Sequence, residues 1–128
     1  MRKLFWRIPL AFLALLIASS AWADGQKISA AIDAASAGCR GVSERIFEWK
    51  ELGQQEVKSS ALLMEELKKY GFKVTGDLKV PADLIKDGIA KTAFRAEMAG
   101  KGPGPTVTIM LEYDALPNGH SCGHNLIA

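Results

Sequence analysis

The chain has 128 residues, of which 48% are hydrophobic and 23% are charged, with 16 Lys and Arg against 14 Asp and Glu. Three of the basic residues and none of the acidic ones lie in residues 1–23, so residues 24–128 carry one more acidic than basic residue. This balance leaves no basic stripe to suggest nucleic-acid binding. The remaining length suits one modest domain with a small core.

The N-terminus has the composition of a secretory signal peptide. A basic start at residues 2–7 precedes an almost unbroken apolar run from Ile8 to Ala18, and Ala21–Ala23 has the small-x-small pattern of a cleavage site. This order predicts a signal peptide over residues 1–23, removed after Ala23. An uncleaved anchor is the alternative, but the apolar stretch is short against the ~20 residues of a spanning helix. We therefore expect export, to the periplasm, of residues 24–128.

A long amphipathic helix is the first element predicted after that segment. Apolar residues recur at intervals of three and four from Ile28 to Trp49, which is the spacing of one helix face. Gly38 and Gly41 weaken the middle of this helix, so it can kink near there. Cys39 belongs to the same apolar stripe and is predicted to be a small core residue.

A second helix is predicted from about Gln54 to Tyr70, where apolar residues again share one side. Gly71 follows it at the position where a left-handed C-terminal cap is usual. Directly after the cap, Phe72–Val74 is a candidate for a short strand. Pro81 can open a short helix over Ala82–Lys86.

The last elements predicted in chain order are strands. Thr92–Met98 alternates in polarity as a half-buried strand does, and Gly100–Pro105 is a turn. Thr106–Glu112 is a β-rich run that suits a central strand. Two helices, a β-hairpin and a central strand entering a loop predict an α/β domain that is open at its C-terminal end.

Possible metal ligands follow the predicted central strand. In an extended segment, His120, Cys122 and His124 can face one point, because residues two apart point the same way. Ligands of open α/β sheets gather at the carboxyl ends of strands. Gly119 and Gly123 permit unusual backbone angles beside these residues. A thiolate and an imidazole separated by one residue suit zinc or another borderline-soft divalent ion.

Simpler interpretations remain open for the same residues. Cys122 can pair with Cys39, since disulfides are common in exported proteins, although nothing in the pattern brings the two together. His120 can be a solvated surface residue. Asp114 can serve turn formation or accept the N–H of a nearby imidazole. Glu112 fits a polar or salt-bridged position better than a ligand position.

The exact run of residues adds a resemblance. Glu112–Pro117 followed by Gly119–Leu126 resembles the aminoacylase/carboxypeptidase-type family of metallopeptidases. The branch concerned contains aminobenzoyl-glutamate hydrolases, Xaa-Arg dipeptidases and amino-acid-conjugate amidohydrolases. The resemblance spans roughly Ser43 to the end of the chain. The upstream segments that are similar to that branch, in the same order, are Glu51–Glu56, Ser59, Tyr70–Phe72 and Thr92–Phe94.

The resemblance implies the N-terminal part of a zinc-peptidase-like catalytic domain, which is incomplete in this chain. Cys122 and His124 match the Cys-Gly-His ligands of a dinuclear zinc or manganese centre. Asp114 matches the aspartate that orients a metal ligand, and His120 belongs to the motif as a further possible ligand. Other branches place a histidine ligand at the position that Glu112 holds here, and in this branch the cysteine supplies the missing ligand.

The implied reaction is hydrolysis of the amide bond of an N-acyl amino acid or dipeptide by metal-activated water, with a glutamate as general base. In the family, that base, the remaining ligands and a dimerisation domain lie beyond the position of Ala128. We therefore expect the full-length protein to be a homodimer and the chain alone to be inactive, with no membrane partner after signal cleavage. The alternatives are a non-catalytic exported metal-binding protein, a remnant of a decayed gene, or a disulfide-stabilised module.

Overall fold

The computed structural model describes residues 10–85 and 88–128, with side chains from Gly25 onward. The start of the predicted signal peptide lies outside the described residues, and its removal stays a prediction. Within the described part of the chain, no helix is both long enough and apolar enough to cross a membrane. The chain divides into two compact units after Gly38, and the candidate site lies wholly in the second, Cys39–Ala128.

Helix α1 spans Leu10–Trp49 and confirms the first predicted helix. The helix continues through Gly38 and Gly41 without interruption. Its apolar stripe is largely uncovered in the first unit, where Ile28 and Ile32 are both 62% exposed. Helical periodicity therefore predicted the element correctly but did not indicate how much of its apolar face is buried.

The prediction that Cys39 is a core residue is wrong, because its side chain is exposed. The stripe becomes covered only further along α1, where Val42 and Trp49 pack against the core and Ile46 is fully buried. Cys39 lies before the residues that are covered. Cys39 and Cys122 are both free thiols, so the disulfide considered from the sequence is not formed.

Helix α2 spans Val57–Lys69, inside its predicted range. It buries Leu62 and Leu63 against Ile46 of α1, and these three residues are the centre of the core in the second unit. The C-terminal cap is also as predicted: Gly71 has φ +86°. The Phe72 N–H donates to Leu67 O at 3.1 Å, and the Gly71 N–H to Lys68 O at 3.0 Å, which is the paired bonding of a Schellman cap.

The start of α2 is held by a carboxylate from outside the helix. Glu51 accepts hydrogen bonds from the backbone N–H of Lys58 at 2.9 Å and of Ser59 at 2.8 Å, and from the Ser59 hydroxyl at 2.8 Å. Burial alone raises the pKa of Glu51, but the hydrogen bonds from Lys58 and Ser59 outweigh burial and lower it. Glu51 thus satisfies two of the N–H groups that a helix start leaves unpaired.

Two short antiparallel sheets follow α2. Strand β1, Lys73–Thr75, pairs with β4, Arg95–Glu97. Both strands predicted in these regions are confirmed: β1 lies one position later than predicted, and β4 is shorter than the predicted Thr92–Met98. Strand β2, Leu78–Lys79, pairs with β3, Ile89–Ala90. This second pair lies in a stretch where the sequence showed no strand signal, because two-residue strands are too short to show alternation.

The short helix predicted over Ala82–Lys86 is wrong for the residues that are described. Residues 82–85 form a turn, in which the N–H groups of Leu84 and Ile85 both reach Pro81 O, at 3.0 and 3.3 Å. The chain has to reverse here, because the Val80 N–H donates to Gly88 O at 2.9 Å. Lys86 lies outside the described residues.

The predicted central strand, Thr106–Glu112, is also wrong, since these residues form no strand. Val107, Ile109 and Met110 are 82%, 77% and 90% exposed. A strand requires a neighbour that takes up its hydrogen bonds, and β1 pairs β4 instead of this segment. The described residues thus form a small α/β fold, completed by the short helix α3, His124–Ile127. Nothing in it is specific to a zinc peptidase.

Candidate functional site

The candidate site begins in a loop that is fastened to the segment after α1. The Ala115 N–H donates to Glu51 O at 2.7 Å, and Ala115 forms an isolated parallel bridge with Leu52. Leu116 and Gly119 then exchange two backbone hydrogen bonds, of 3.1 and 2.8 Å. The loop is therefore closed on itself and held at its start by the same segment that caps α2.

Two glycines give the loop its shape. Gly119 has φ +94° and Gly123 has φ +75°, values in the left-handed region that side chains other than glycine rarely adopt. The Gly123 N–H donates to His120 O at 3.1 Å, and α3 begins at the next residue, His124. The expectation of unusual backbone angles at both glycines is confirmed. These angles turn the chain so that His124 lies near the end of the preceding segment.

His124 lies between two carboxylates. Its Nδ1 donates to Oδ1 of Asp114 at 2.7 Å and lies 3.2 Å from the backbone oxygen of the same residue. Its Nε2 lies 3.0 Å from Oε2 of Glu112. This distance gives a salt bridge when the imidazole is protonated, which agrees with the interpretation of Glu112 as a salt-bridged position. The Asp114 carboxylate accepts the imidazole N–H, which is the arrangement expected for an aspartate that orients a histidine ligand.

The two carboxylates raise the pKa of His124. The hydrogen bond to Asp114 is the largest cause of a raised pKa, and the charges of Asp114 and Glu112 add to it against the opposing effect of burial. With Nδ1 committed to Asp114 as a donor, a neutral ring presents its lone pair at Nε2. The same nitrogen can therefore hold a proton shared with Glu112 or donate its lone pair to a cation.

The other two potential ligands, His120 and Cys122, do not form a common site with His124 in this structure. Cys122 is exposed, and no group of three or more His, Cys, Asp or Glu side chains in residues 25–85 and 88–128 is arranged to hold a metal ion. The donor types suit a divalent ion, and the Asp114–His124 pair has the required orientation. The described residues nevertheless do not assemble a full set of ligands. The assignment of Cys122 and His124 as metal ligands stays a prediction.

His120 points towards helix α1. Its Nε2 lies 3.0 Å from the backbone oxygen of Ile46, and its ring stacks on Phe47 with centroids 5.9 Å apart at 29°. Its Nδ1 is buried and has no hydrogen-bond partner within the described part of the chain. The ring is half-buried, so the interpretation of His120 as a solvated surface residue is wrong.

A hydrogen-bonded chain beside the site was not foreseen from the sequence. The Tyr113 hydroxyl donates to Thr92 O, and the Thr92 hydroxyl donates to Oε2 of the buried Glu56 at 2.6 Å. Burial, with the charge of Glu56, raises the pKa of Tyr113 to about 12. Thr92 and Glu56 are 36 positions apart, so no local spacing signals this contact. These hydrogen bonds link Glu56, at the start of α2, to Tyr113, which lies between Glu112 and Asp114.

An open cleft of about 420 Å³ lies next to these residues. Glu112, Tyr113 and Asp114 line it together with Lys91 and Thr92. Its volume is within the range of sites for small molecules, and acidic and basic groups both contribute to its wall. His124 contacts two of the residues that line the cleft, Glu112 and Asp114.

Comparison with known proteins gives a partial similarity. The chain is similar to the thermostable carboxypeptidase 1 of Saccharolobus solfataricus, with 29% identity over 99 residues, which cover 66% of this chain and 23% of that protein. The chain therefore spans about a quarter of the length of the curated relative it matches. No family model matches the chain. The similarity points to a peptidase-like hydrolase and distinguishes no branch within such a family.

Proposed function

We propose that this chain is the N-terminal part of the catalytic domain of an exported, metal-dependent amidohydrolase or peptidase. Its substrates would be N-acyl amino acids or dipeptides, cleaved at the amide bond. The observation that carries the proposal is the geometry of His124, whose Nδ1 lies 2.7 Å from the Asp114 carboxylate. The similarity to a carboxypeptidase supports the hydrolase class.

The contact with Asp114 orients His124 in the way that is usual for a histidine that binds a metal ion. A histidine that binds a metal usually donates its other ring N–H to a carboxylate or carbonyl group, which fixes the tautomer and the ring orientation. Asp114 supplies both acceptors here, with its carboxylate at 2.7 Å and its backbone oxygen at 3.2 Å. The Nε2 atom then faces Glu112 at 3.0 Å, in surroundings that favour positive charge.

In this proposal Cys122 and His124 hold a divalent ion, Asp114 orients His124, and the cleft beside Glu112 receives a small substrate. The full-length protein would bind two zinc or manganese ions. When bound, such ions polarise a carbonyl group and lower the pKa of bound water. A general base and further ligands would come from residues outside this chain, so we propose that the chain alone is inactive. Periplasmic location and homodimer formation are part of the same proposal.

Cobalt binding to the reduced 128-residue chain tests the ligand assignment without any need for activity. A cobalt–thiolate absorption band is expected in the native chain and in Cys39→Ser, but not in Cys122→Ser. Cys39 is the matched control, because both cysteines are free and exposed. His124→Ala should weaken binding and alter the ligand-field spectrum. A band that persists in Cys122→Ser, or that disappears in Cys39→Ser, would contradict the assignment.

Activity is tested on the full-length protein that contains this chain. Metal-dependent release of an amino acid from an N-acyl amino acid or a dipeptide is expected, with loss of activity after chelation and recovery when zinc or manganese is added back. A full-length protein that binds metal through Cys122 but cleaves none of these substrates would instead be the non-catalytic metal-binding protein. Activity of the 128-residue chain by itself would contradict the proposed need for residues beyond it.

A further inference from the structure

We infer that His120 is a positioning residue, which fastens the loop that carries Cys122 and His124 to the C-terminal end of α1. It does so through a hydrogen bond from its ring to Ile46 O and through its stacking on Phe47. The importance of this contact for metal binding rests on the proposed function. The contact itself rests on the geometry of the second unit and can be tested separately.

The acceptor of this hydrogen bond is a carbonyl group at a helix end. Ile46 O is one of the last four carbonyl groups of α1, where the regular hydrogen bonds of the helix come to an end. The Lys50 N–H approaches it at 3.3 Å, from a residue with φ +51°. The His120 ring adds a donor at the shorter distance of 3.0 Å. Loss of the ring would leave this carbonyl with the longer bond alone.

The contact also defines the tautomer of His120. A carbonyl oxygen can only accept, so Nε2 must carry the proton, and a neutral ring then has no proton at Nδ1. Nδ1 is buried without a hydrogen-bond partner in the described part of the chain. A proton there would be a buried donor without an acceptor, which is unfavourable. The structure therefore assigns the Nε2–H tautomer.

The His120 ring contacts α1 at a well-packed residue, which suits a positioning contact. The Ile46 side chain is fully buried and packs with Leu62 and Leu63 of α2. Gly119, directly before His120, is buried and has φ +94°, so the chain can turn the His120 ring towards α1. The imidazole thus links a loop to the best-packed part of the second unit.

A second contact ties the other side of the motif to the same helix. Asn125, which is buried, donates from Nδ2 to the Ser43 hydroxyl at 3.1 Å. Ser43 and Ile46 are three residues apart and lie on one face of α1. His120 and Asn125 therefore hold the chain before and after Cys122-Gly123-His124. This arrangement allows His120 to support the motif without binding an ion itself.

The first experiment examines the contact without metal, by nuclear magnetic resonance of the full chain. The nitrogen shifts of His120 should show the Nε2–H tautomer. His120→Ala should speed exchange of the Gly123 and Leu126 amide protons, while His120→Gln, whose amide can donate to the same carbonyl, should largely restore the slow exchange. A native His120 that is protonated at Nδ1, or unchanged exchange in His120→Ala, would overturn the inference whatever the metal result.

The second experiment measures cobalt affinity in the same variants. His120→Ala should bind cobalt about ten-fold or more weakly, with the thiolate band at its native position, since partners outside the ligand set change affinity by 10–100-fold. His120→Gln should recover most of that loss. A shifted spectrum in both variants, without recovery in His120→Gln, would make His120 a ligand and overturn the inference.

Phe47→Leu provides a milder variant if His120→Ala fails to fold, because it removes the stacked ring and keeps the hydrogen bond. It should weaken cobalt binding less than His120→Ala, and unchanged amide exchange and affinity would overturn the stacking contribution. A native chain that lacks the Cys122-dependent band, but shows the expected tautomer, would contradict the proposed function. In that case the tie between loop and helix stands, and its role in metal binding is overturned.

Discussion

The Nδ1 atom of His124 lies 2.7 Å from the Oδ1 atom of Asp114, ten residues earlier in the chain. This pair joins the first turn of α3 to the segment that follows the exposed apolar run. It commits one ring nitrogen and leaves the other opposite Glu112, at 3.0 Å. The orientation of the imidazole is thus defined by side chains on a single short stretch of sequence, which makes it testable by conservative substitutions.

Asp114→Asn should weaken cobalt binding by about 10–100-fold without removing the thiolate band, because the amide keeps an acceptor but loses the charge that orients and polarises the ring. Titration of cobalt into the reduced chain measures the loss. Asp83→Asn is the matched control, since Asp83 lies in the exposed turn after β2 and should leave the affinity unchanged. Equal affinities for Asp114→Asn and the native chain would show that the pair does not serve a ligand.

Glu51→Gln should lower the free energy of unfolding by about 1 kcal/mol at neutral pH, because it weakens the cap on α2. The pKa of Glu51 is lowered below its ordinary 4.5 in the folded chain. Its contribution is therefore fully present above about pH 4.5 and is lost as pH falls through the lowered value. Urea unfolding at a series of pH values measures the difference between the variant and the native chain.

The control for that experiment is Glu65→Gln, because Glu65 lies on the exposed side of α2 and holds no N–H group at its start. Glu65→Gln should change the free energy of unfolding by no more than about 0.5 kcal/mol. If the stability difference between Glu51→Gln and the native chain were the same at acidic and neutral pH, the assignment of the cap to the charged carboxylate would be wrong.

Tyr113→Phe should remove a tyrosine ionisation step near pH 12, because burial and Glu56 raise the pKa of Tyr113 to about 12. The neutral phenol is the form that donates to Thr92 O. Its contribution to stability is present below the ordinary value of 10.0 and is lost as pH rises towards about 12. Tyrosinate absorbance during an alkaline titration follows the step.

Tyr70→Phe serves as the comparison, since Tyr70 is 61% exposed. The step near pH 12 should survive in Tyr70→Phe and vanish in Tyr113→Phe. At neutral pH, Tyr113→Phe should cost about 1 kcal/mol of stability through the lost hydrogen bond. Retention of the step in Tyr113→Phe would mean that the phenol is not buried against Thr92.

Gly119→Ala should destabilise the chain by about 1 kcal/mol or more through backbone strain alone. The φ of Gly119 is +94°, and an added Cβ would meet only Lys50 Cδ, at the comfortable distance of 4.0 Å. Gly102→Ala has open space around its Cβ and no such φ, so it should change stability little. Thermal unfolding of both variants gives the comparison, and equal stabilities would exclude a strained position at Gly119.

The elements that the sequence predicted well are those built from local interactions. The periodicity from Ile28 to Trp49, and that from Gln54 to Tyr70, gave two helices because helix hydrogen bonds join residues four apart. Gly71 marked the end of α2 for the same reason. The failure at Thr106–Glu112 has the opposite cause, since a β-rich run becomes a strand only when another segment pairs with it.

The contacts of the candidate site also divide into local ones, which the sequence indicated, and long-range ones, which it did not. Asp114 and His124 lie only ten positions apart, and the resemblance to the metallopeptidase family predicted that this carboxylate orients a ligand, although spacing alone did not place it. The contact between His120 and Ile46 joins residues 74 positions apart. No spacing within the motif indicates it, because it depends on how the loop packs against α1. The sequence named the residues, and tertiary packing decided which of them converge.

The two exposed thiols also give the chain a built-in reference for alkylation kinetics. Cys39 lies on α1 and Cys122 in the loop, and neither is consumed by a disulfide. A thiol bound to a metal is masked from electrophiles, whereas one that is merely exposed reacts freely. In a single sample, the ratio of the two alkylation rates therefore reports how much of Cys122 is bound to a metal ion. The ratio does not depend on the concentration of the reagent or of the protein, because both thiols experience the same conditions.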